Sequence, residues 1–147
     1  MQNEAVPYIR RAFFYETDMM GIIHHANYIL WMEEARTDFM EKAGLGKLEG
    51  IGIQLPVVSL SCRYVSSVRS GDIIEVGTLL AFFNGIRAIY KYEMRDAGSG
   101  RLVAAGETVH CFLDERTGMP VNLKKRCPEL YERAFKACKL KDASEIT

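Results

Sequence analysis

One helical pattern followed by a long run of strand patterns constrains the fold of this chain most. Over residues 26–43 apolar residues recur at helical spacing, and charged residues fill much of the opposite side. Over residues 52–113 apolar and polar residues alternate instead, which is typical of strands with one buried face. A further strand is predicted over residues 7–16, and a short helix over residues 128–137, where proline stands at the start. This order predicts an α+β fold in which one long helix covers one face of a five-stranded antiparallel sheet.

Turn signals divide the strand region into hairpins. Asn84-Gly85 predicts a two-residue type I′ turn, whose central residues both need positive φ. Turns are also predicted at residues 70–72 and 96–100, so four strands are expected to follow one another as a meander. At the helix ends, Asn27 or a neighbour is expected to cap the first turn. Gly44 is expected to be left-handed, with Leu45 packed back on the helix.

Length and charge argue against several classes of protein. A chain of 147 residues suits one domain, so we expect residues 1–147 to form a single domain with a frayed tail over residues 141–147. The 19 basic and 19 acidic residues balance, which argues against wholesale attraction to nucleic acid or to an anionic membrane. With no signal pattern and no apolar run of about 20 residues, we expect a cytoplasmic protein without membrane insertion. The four cysteines form no Cys-x-x-Cys pair and are expected to be free thiols: Cys62, Cys111, Cys127 and Cys138.

The segment from Tyr15 to Tyr28 contains the residues best suited to chemistry. It reads Tyr-Glu-Thr-Asp-Met-Met-Gly-Ile-Ile-His-His-Ala-Asn-Tyr, with Gly21 between Asp18 and His25, and the long helix begins at its end. A carboxylate beside a helix N-terminus places a base or nucleophile next to unpaired backbone N–H groups, and acyl transfer uses both. The segment therefore predicts an acyl-transfer site, although an aspartate ahead of a glycine is also a common turn residue.

The same segment and the order of elements resemble one known family. The similar stretches are Tyr15-Glu16-Thr17-Asp18, Gly21, His25-Ala26-Asn27-Tyr28 and Met32-Glu33-Glu34-Ala35-Arg36. They resemble the hotdog-fold thioesterases of the 4-hydroxybenzoyl-CoA thioesterase class, and most of all the acyl-CoA branch associated in bacteria with the Tol–Pal gene cluster. The resemblance implies a hotdog fold, in which a curled antiparallel sheet wraps around the helix. It also implies homodimers that join their sheets, with active sites at the dimer interface, and commonly homotetramers.

The resemblance implies roles for individual residues. Asp18 is the expected catalytic carboxylate, acting as nucleophile or general base, and the backbone N–H of His25 is expected to polarise the thioester carbonyl. The His25 ring either orients Asp18 or water, or packs at a buried interface. His24 is expected to be structural, while Met19 and Met20 are expected to reshape the acyl pocket. The residues expected to bind substrate are Tyr15, Gly21, Asn27, Tyr28, Ser59 and Arg87.

The implied reaction is hydrolysis of an acyl-CoA to a carboxylic acid and CoA, or of the same thioester on acyl carrier protein. No cofactor is implied, and no metal is expected because Asp18 and the three histidines lack metal-ligand spacing. CoA carries phosphates, so cationic contacts are expected from Arg63, Arg69, Arg87 or residues 124–126.

Other functions and another active carboxylate stay open. Glu33 or Glu34 on the helix is an alternative carboxylate, although a solvated or ion-paired helix face is the stronger expectation. A hotdog hydratase or dehydratase would use a histidine followed by a proline-rich segment, and no proline follows His25 closely. A non-catalytic acyl-CoA-binding module would share the pocket but would not need Asp18.

Overall fold

The computed structural model describes residues 6–46 and 48–138 of the chain. The expected tail over residues 141–147 lies outside the described residues. Short 3₁₀ turns occur at Phe14–Glu16 and Glu49–Ile51. None of the described helices is long and apolar enough to cross a membrane. The strands are β1 (Tyr8–Arg11), β2 (Ile53–Gln54), β3 (Val57–Tyr64), β4 (Ile73–Phe83), β5 (Arg87–Asp96), β6 (Leu102–Cys111) and β7 (Leu113–Asp114), and the α-helices are α1 (His25–Lys42), α2 (Leu123–Arg126) and α3 (Pro128–Ala137).

A five-stranded antiparallel sheet in the order β1-β4-β5-β6-β3 forms the body of the fold. Strands β4, β5 and β6 follow one another as hairpins, but β3 pairs with β6 and not with β4. The predicted meander of four strands is therefore wrong for β3. The reason is the connection over residues 65–72, which is long enough to cross the sheet, whereas a tight turn would hold consecutive strands side by side.

The long helix packs inside the curl of this sheet. Helix α1 contacts β4 and also β1 and β3, the two edge strands. In a flat sheet those edges would lie about 19 Å apart, wider than a helix, so contact with both means that the sheet curls around α1. Helix and sheet meet at Gly106, where any Cβ would collide with the side chain of Met32. The predicted α+β class and the hotdog arrangement are confirmed.

The apolar face of α1 forms the centre of the core. Tyr28, Met32 and Ala35 are buried, as their spacing predicts, and Trp31 is buried with them. Burying a large apolar side chain stabilises a fold by roughly 1.5–3 kcal/mol, so this face fixes the position of α1 and of its N-terminus. The opposing core residues of the sheet are Ile74, Val76, Leu80, Ala88, Tyr90, Tyr92, Met94 and Ala104.

The ends of α1 agree with the sequence at one end and differ at the other. Gly44 has a φ of 78°, and Leu45 is buried against the helix, so both predictions are confirmed. The N-terminal cap is His24, with α1 beginning at His25. The expectation that Asn27 itself caps the helix is wrong, because two residues of helix already precede it.

The turn between β4 and β5 is centred one residue later than predicted. The Asn84 N–H donates to the Arg87 carbonyl (3.2 Å), so the central residues are Gly85 and Ile86, and Gly85 has a φ of 91°. The Asn84 side-chain oxygen accepts the N–H groups of Ile86 (2.9 Å) and Arg87 (2.7 Å). This explains the shift, because an asparagine side chain can take the place of a backbone acceptor in a turn.

Among the remaining elements, the prediction for the last helix is confirmed and the prediction for the first strand is wrong. Helix α3 has its predicted bounds, whereas α2 and the β2–β7 ladder have no counterpart in the prediction. The first strand ends at Arg11 and does not extend over residues 7–16. It stops there because Phe14–Glu16 forms a 3₁₀ turn that buries the polar side chain of Glu16.

Candidate active site

Asp18 opens a tight turn that ends at Gly21. The Gly21 N–H donates to the Asp18 carbonyl (3.0 Å), and the Asp18 N–H donates to the Ile22 carbonyl (2.9 Å). Gly21 has a φ of 77°, a conformation that favours glycine. Met19 and Met20 form the exposed tip of the turn. The Asp18 carboxylate accepts the Met20 N–H through Oδ1 (2.8 Å), whereas Oδ2 has no partner among the described residues. One carboxylate oxygen is therefore held by the turn and the other is open.

The first turn of α1 supplies backbone N–H groups directly after this loop. His24 accepts the Ala26 N–H through its ring Nδ1 (3.1 Å) and the Asn27 N–H through its carbonyl (3.0 Å). In the part of the chain that the structure describes, the His25 N–H has no acceptor. The N-terminus of a helix carries roughly half a positive charge, so this N–H is suited to stabilise a negative oxygen.

Backbone pairing ties the Asp18 turn to the helix start. Thr17 and Ile23 pair as an antiparallel bridge across the two ends of the turn. Ile23 also donates its N–H to the Val68 carbonyl (2.8 Å), and Ile22 pairs with Arg69. The β3–β4 connection therefore supports the loop from outside, and this support holds the Asp18 turn directly before α1.

Two rings and a phenol surround the helix start. The exposed rings of His24 and His25 stack with their centroids 4.2 Å apart, and the Tyr64 ring meets His25 edge-on at 6.4 Å. The Tyr64 hydroxyl donates to the His25 carbonyl (2.9 Å). Burial, together with the nearby Cys62 thiol, raises the pKa of Tyr64 to about 12. Tyr64 is therefore a neutral donor at neutral pH, and it links the edge strand β3 to the first residue of α1.

Sequence reasoning missed the buried ionic cluster that adjoins the site. The Glu16 carboxylate accepts hydrogen bonds from Arg10 (2.8 Å), from the Phe13 N–H (3.0 Å) and from the Trp31 indole (3.0 Å). Arg10 also bonds Glu34 (3.0 Å) and lies over the Trp31 ring at 4.7 Å. The expectation of an ion-paired helix face is confirmed for Glu34. A glutamate directly after the apolar and aromatic residues 12–15 was the signal that could have revealed the cluster.

The structure brings some of the predicted site residues together and leaves others apart. Asp18, Gly21, His25 and Asn27 lie on the loop and first helical turn, and Tyr15 is exposed beside them, stacked on Phe13 at 5.3 Å. Tyr28 is buried and packs against the rings of Trp31 and Tyr64, both at 5.1 Å.

Ser59 and Arg87 lie at the other end of the sheet from this loop. Ser59 is five residues before Tyr64 on β3, a distance of about 17 Å along a strand. Arg87 begins β5 and pairs with Cys111, one row beyond the Val57–His110 pair. Within one chain, neither residue reaches the Asp18 turn.

The cations expected to meet CoA phosphates differ in their surroundings. Arg69 is exposed beside the loop, with its guanidinium 3.8 Å from where a Cβ on Gly21 would stand. Arg126 is engaged with Asp114 (2.7 Å), and the Lys124 ammonium lies 5.6 Å from the centroid of the Tyr131 ring. Of these three cations, Arg69 is the one that lies beside the candidate site. The described residues contain no group of three or more His, Cys, Asp and Glu side chains that could hold a metal ion.

Comparison with known proteins finds relatives along most of the chain. Residues 14–142 match the model of the thioesterase-like superfamily. The putative acyl-CoA thioesterase YneP of Bacillus subtilis (strain 168) is 32% identical over 126 residues, covering 82% of this chain and 91% of that protein. The acyl-CoA thioester hydrolase YbgC of Escherichia coli O6:H1 is 23% identical over 103 residues, covering 69% of this chain and 77% of that protein. The crystal structure of DHNA-CoA thioesterase from Staphylococcus aureus has a TM-score of 0.84 and 32% identity, covering 89% of each chain.

Proposed function

Because the chain belongs to the thioesterase-like superfamily and is a thioester hydrolase, we propose that Asp18 and the first turn of α1 carry out its hydrolysis of acyl-CoA. The observation that carries the proposal is a carboxylate oxygen of Asp18 and the N–H of His25, which lie on one loop and the helix that follows it and which have no partner among residues 6–46 and 48–138. Thioester hydrolysis needs a base or nucleophile and a donor for the developing oxyanion at the same place.

The chemistry follows from those two groups. The thioester carbonyl oxygen accepts the His25 N–H, which stabilises the negative charge that develops as the carbonyl carbon is attacked. The open oxygen of Asp18 either attacks that carbon, giving a mixed anhydride that water then hydrolyses, or takes a proton from the attacking water. In both routes the C–S bond breaks and CoA leaves as its thiolate, which needs little help from a general acid.

A homodimer joined along β3 would complete the site. This edge strand exposes apolar side chains, among them Val58 and Leu60, that no other part of the described chain covers. An antiparallel join near the middle of β3 would bring the partner subunit's Ser59 close to Tyr64, and hence to the helix start. It would also bring the partner subunit's Arg87 toward the start of α1, where the phosphates of CoA need cations. The homodimer, and a homotetramer built from it, belong to this proposal.

The relatives leave the identity of the acyl group open. The Staphylococcus aureus relative is named for DHNA-CoA and the Bacillus subtilis relative for acyl-CoA in general, so DHNA-CoA and other aromatic, short aliphatic and branched thioesters all belong among the substrates to be tested. Acyl carrier protein is the alternative carrier. Membership of the Tol–Pal-associated branch and a cytoplasmic location stay predictions.

The test is a panel of acyl-CoA thioesters incubated with the purified protein and a reagent that detects free thiol. We expect thiol release from at least one thioester, and loss of that release in Asp18→Asn with an unchanged circular dichroism spectrum. Binding without release on every thioester would favour a non-catalytic module, and addition of water to an enoyl-CoA would favour a hydratase. Release that survives in Asp18→Asn would refute the role assigned to Asp18.

A further inference from the structure

Glu16, two residues before Asp18, is bonded to three separate parts of the fold. Its side chain is 8% exposed, yet it accepts three hydrogen bonds, from Arg10 on β1, from the Phe13 N–H and from Trp31 on α1. Its Oε1 takes the first two and its Oε2 takes the third. All three partners are donors, so the site is built for an ionised carboxylate and for no neutral side chain of the same shape.

The main chain of Glu16 is bonded to the helix start. Its carbonyl accepts the His24 N–H (2.9 Å) and the side-chain Nδ2 of Asn27 (2.8 Å). These two bonds join the beginning of the Asp18 loop to the cap and to the first turn of α1. They also take up the N–H of His24, whereas the N–H of His25 has no acceptor in the described part of the chain.

The charge state of Glu16 agrees with this geometry. Burial opposes ionisation, but the hydrogen bonds from Arg10, Phe13 and Trp31 outweigh it and hold the pKa of Glu16 below its ordinary value. Arg10 is fixed in turn by the ion pair with Glu34 and by the Trp31 ring. The carboxylate is thus charged and immobilised at neutral pH.

We propose that Glu16 is a positioning residue, which holds the Asp18 carboxylate at a fixed place relative to the His25 N–H. The inference rests on the proposed function, because it concerns the alignment of the two groups that act on the thioester. The Glu16 side chain fixes the chain to β1 and α1, while its carbonyl fixes it to the helix cap. Asp18 follows after one intervening residue, so a change at Glu16 displaces the catalytic carboxylate, whereas Arg69, the cation expected to meet CoA beside the loop, has no hydrogen bond to Glu16.

The test compares Glu16→Gln with Glu34→Gln. In Glu16→Gln an NH₂ group replaces one carboxylate oxygen, and it would face a group that also donates. At the place of Oε2 it would face the Trp31 indole, and at the place of Oε1 it would face Arg10 and the Phe13 N–H. Glu34→Gln is the matched control, because its amide oxygen can still accept the bonds from Arg10 and Tyr8, and Glu34 has no hydrogen bond to the Asp18 loop. A displacement of about 1 Å can cost about 10²-fold in rate, so we expect kcat of Glu16→Gln to fall by about that factor with KM near the parent value. In Glu34→Gln both constants should stay near those of the parent.

A second readout is independent of activity. Backbone hydrogen exchange at the N–H groups of Met20 and His24 reports the bonds to Asp18 and Glu16. We expect faster exchange at both positions in Glu16→Gln and not in Glu34→Gln. Equal kcat values in the two variants, with an active parent, would overturn the inference and leave the proposed function standing. If the parent hydrolyses no thioester, the proposed function fails, and the exchange rates alone decide whether Glu16 holds the loop.

Asn27→Ala tests the same connection if Glu16→Gln does not fold. It removes the bond from Nδ2 to the Glu16 carbonyl and leaves the buried ion pair untouched. The expected result is again a lower kcat at a nearly constant KM. A raised KM with unchanged kcat would show that Asn27 serves substrate binding and would overturn the inference.

Discussion

Two polar clusters lie along α1, and they differ in whether their hydrogen bonds are closed. Beneath the middle of the helix, Arg36 donates to the Tyr92 hydroxyl (3.2 Å), which bonds Thr108 (2.7 Å), which bonds Nε2 of His110 (2.8 Å). The Nδ1 of His110 ends the series at the Leu55 carbonyl (3.2 Å). Arginine only donates and a carbonyl only accepts, so each group in the series donates a hydrogen bond to the next one. His110 therefore accepts at Nε2, donates from Nδ1 and is neutral.

The cluster at the start of α1 is held just as firmly but is not closed. Both oxygens of the Glu16 carboxylate accept hydrogen bonds, whereas one oxygen of Asp18 and the N–H of His25 are left without protein partners in the described chain. A closed cluster joins two elements of the fold, because buried polar groups are stable only when paired. An open pair of groups on a firmly held loop leaves hydrogen-bonding capacity for the ligand proposed above. Substitutions in the two clusters should therefore affect different properties, activity in the open one and stability in the closed one.

Asp18→Asn is expected to have the largest effect. Asparagine keeps an oxygen that can accept the Met20 N–H, so the turn and the thermal midpoint should be preserved. Loss of a general base or nucleophile should lower kcat/KM by about 10²–10⁴-fold. Asp38→Asn on α1 is the control, since that carboxylate pairs with Lys42 away from the loop. Equal thioesterase activity in both variants would mean that the Asp18 loop and the start of α1 are not the reaction site.

How far the sequence predicts this molecule depends on whether a feature is local. The helix over residues 26–43, the left-handed Gly44 and the bounds of α3 follow from spacing, capping and proline placement, which are local rules. The place of β3 beside β6 does not, because no local signal states which edge a long connection reaches. Residues 15–28 contain the candidate active site. They do not contain Arg10, whose contact with Glu16 depends on how β1 packs against α1.

The pH dependence of stability tests the closed cluster. Burial, together with the charge of Arg36, lowers the pKa of His110 to about 4 from its ordinary value of 6.5. Because the folded value is the lower one, the unfolded chain binds the proton first, and stability is lost as pH falls from 6.5 toward 4. The loss should approach about 3 kcal/mol, since a pKa that differs by one between the folded and unfolded chain corresponds to about 1.4 kcal/mol. Urea unfolding between pH 7.5 and 4.5 measures it, and His110→Gln should flatten the curve.

Thr108→Val should open the closed cluster at its centre. The Tyr92 hydroxyl would lose its acceptor and Nε2 of His110 would lose its donor, both in the buried interior. Leaving buried polar groups unpaired costs about 1–3 kcal/mol, which urea unfolding resolves. Because the Asp18 loop makes none of these contacts, kcat should stay near the parent value. A fall in kcat with unchanged stability would show that the two clusters are coupled and do not act separately.

Thr78→Val is expected to have the smallest effect. It tests whether the stability of this region depends on paired hydrogen bonds or only on burial of the side chains. Thr78 is the cross-strand neighbour of Tyr92, so it lies next to the closed cluster, yet its buried hydroxyl oxygen has no partner among the described residues. Replacing an unpaired hydroxyl by a methyl group of the same shape removes a desolvation cost and breaks no bond. Stability should therefore stay within about 0.5 kcal/mol of the parent or rise, as urea unfolding would show. If Thr78→Val lowered the free energy of unfolding as much as Thr108→Val, the effect of Thr108→Val could not be assigned to its broken hydrogen bonds.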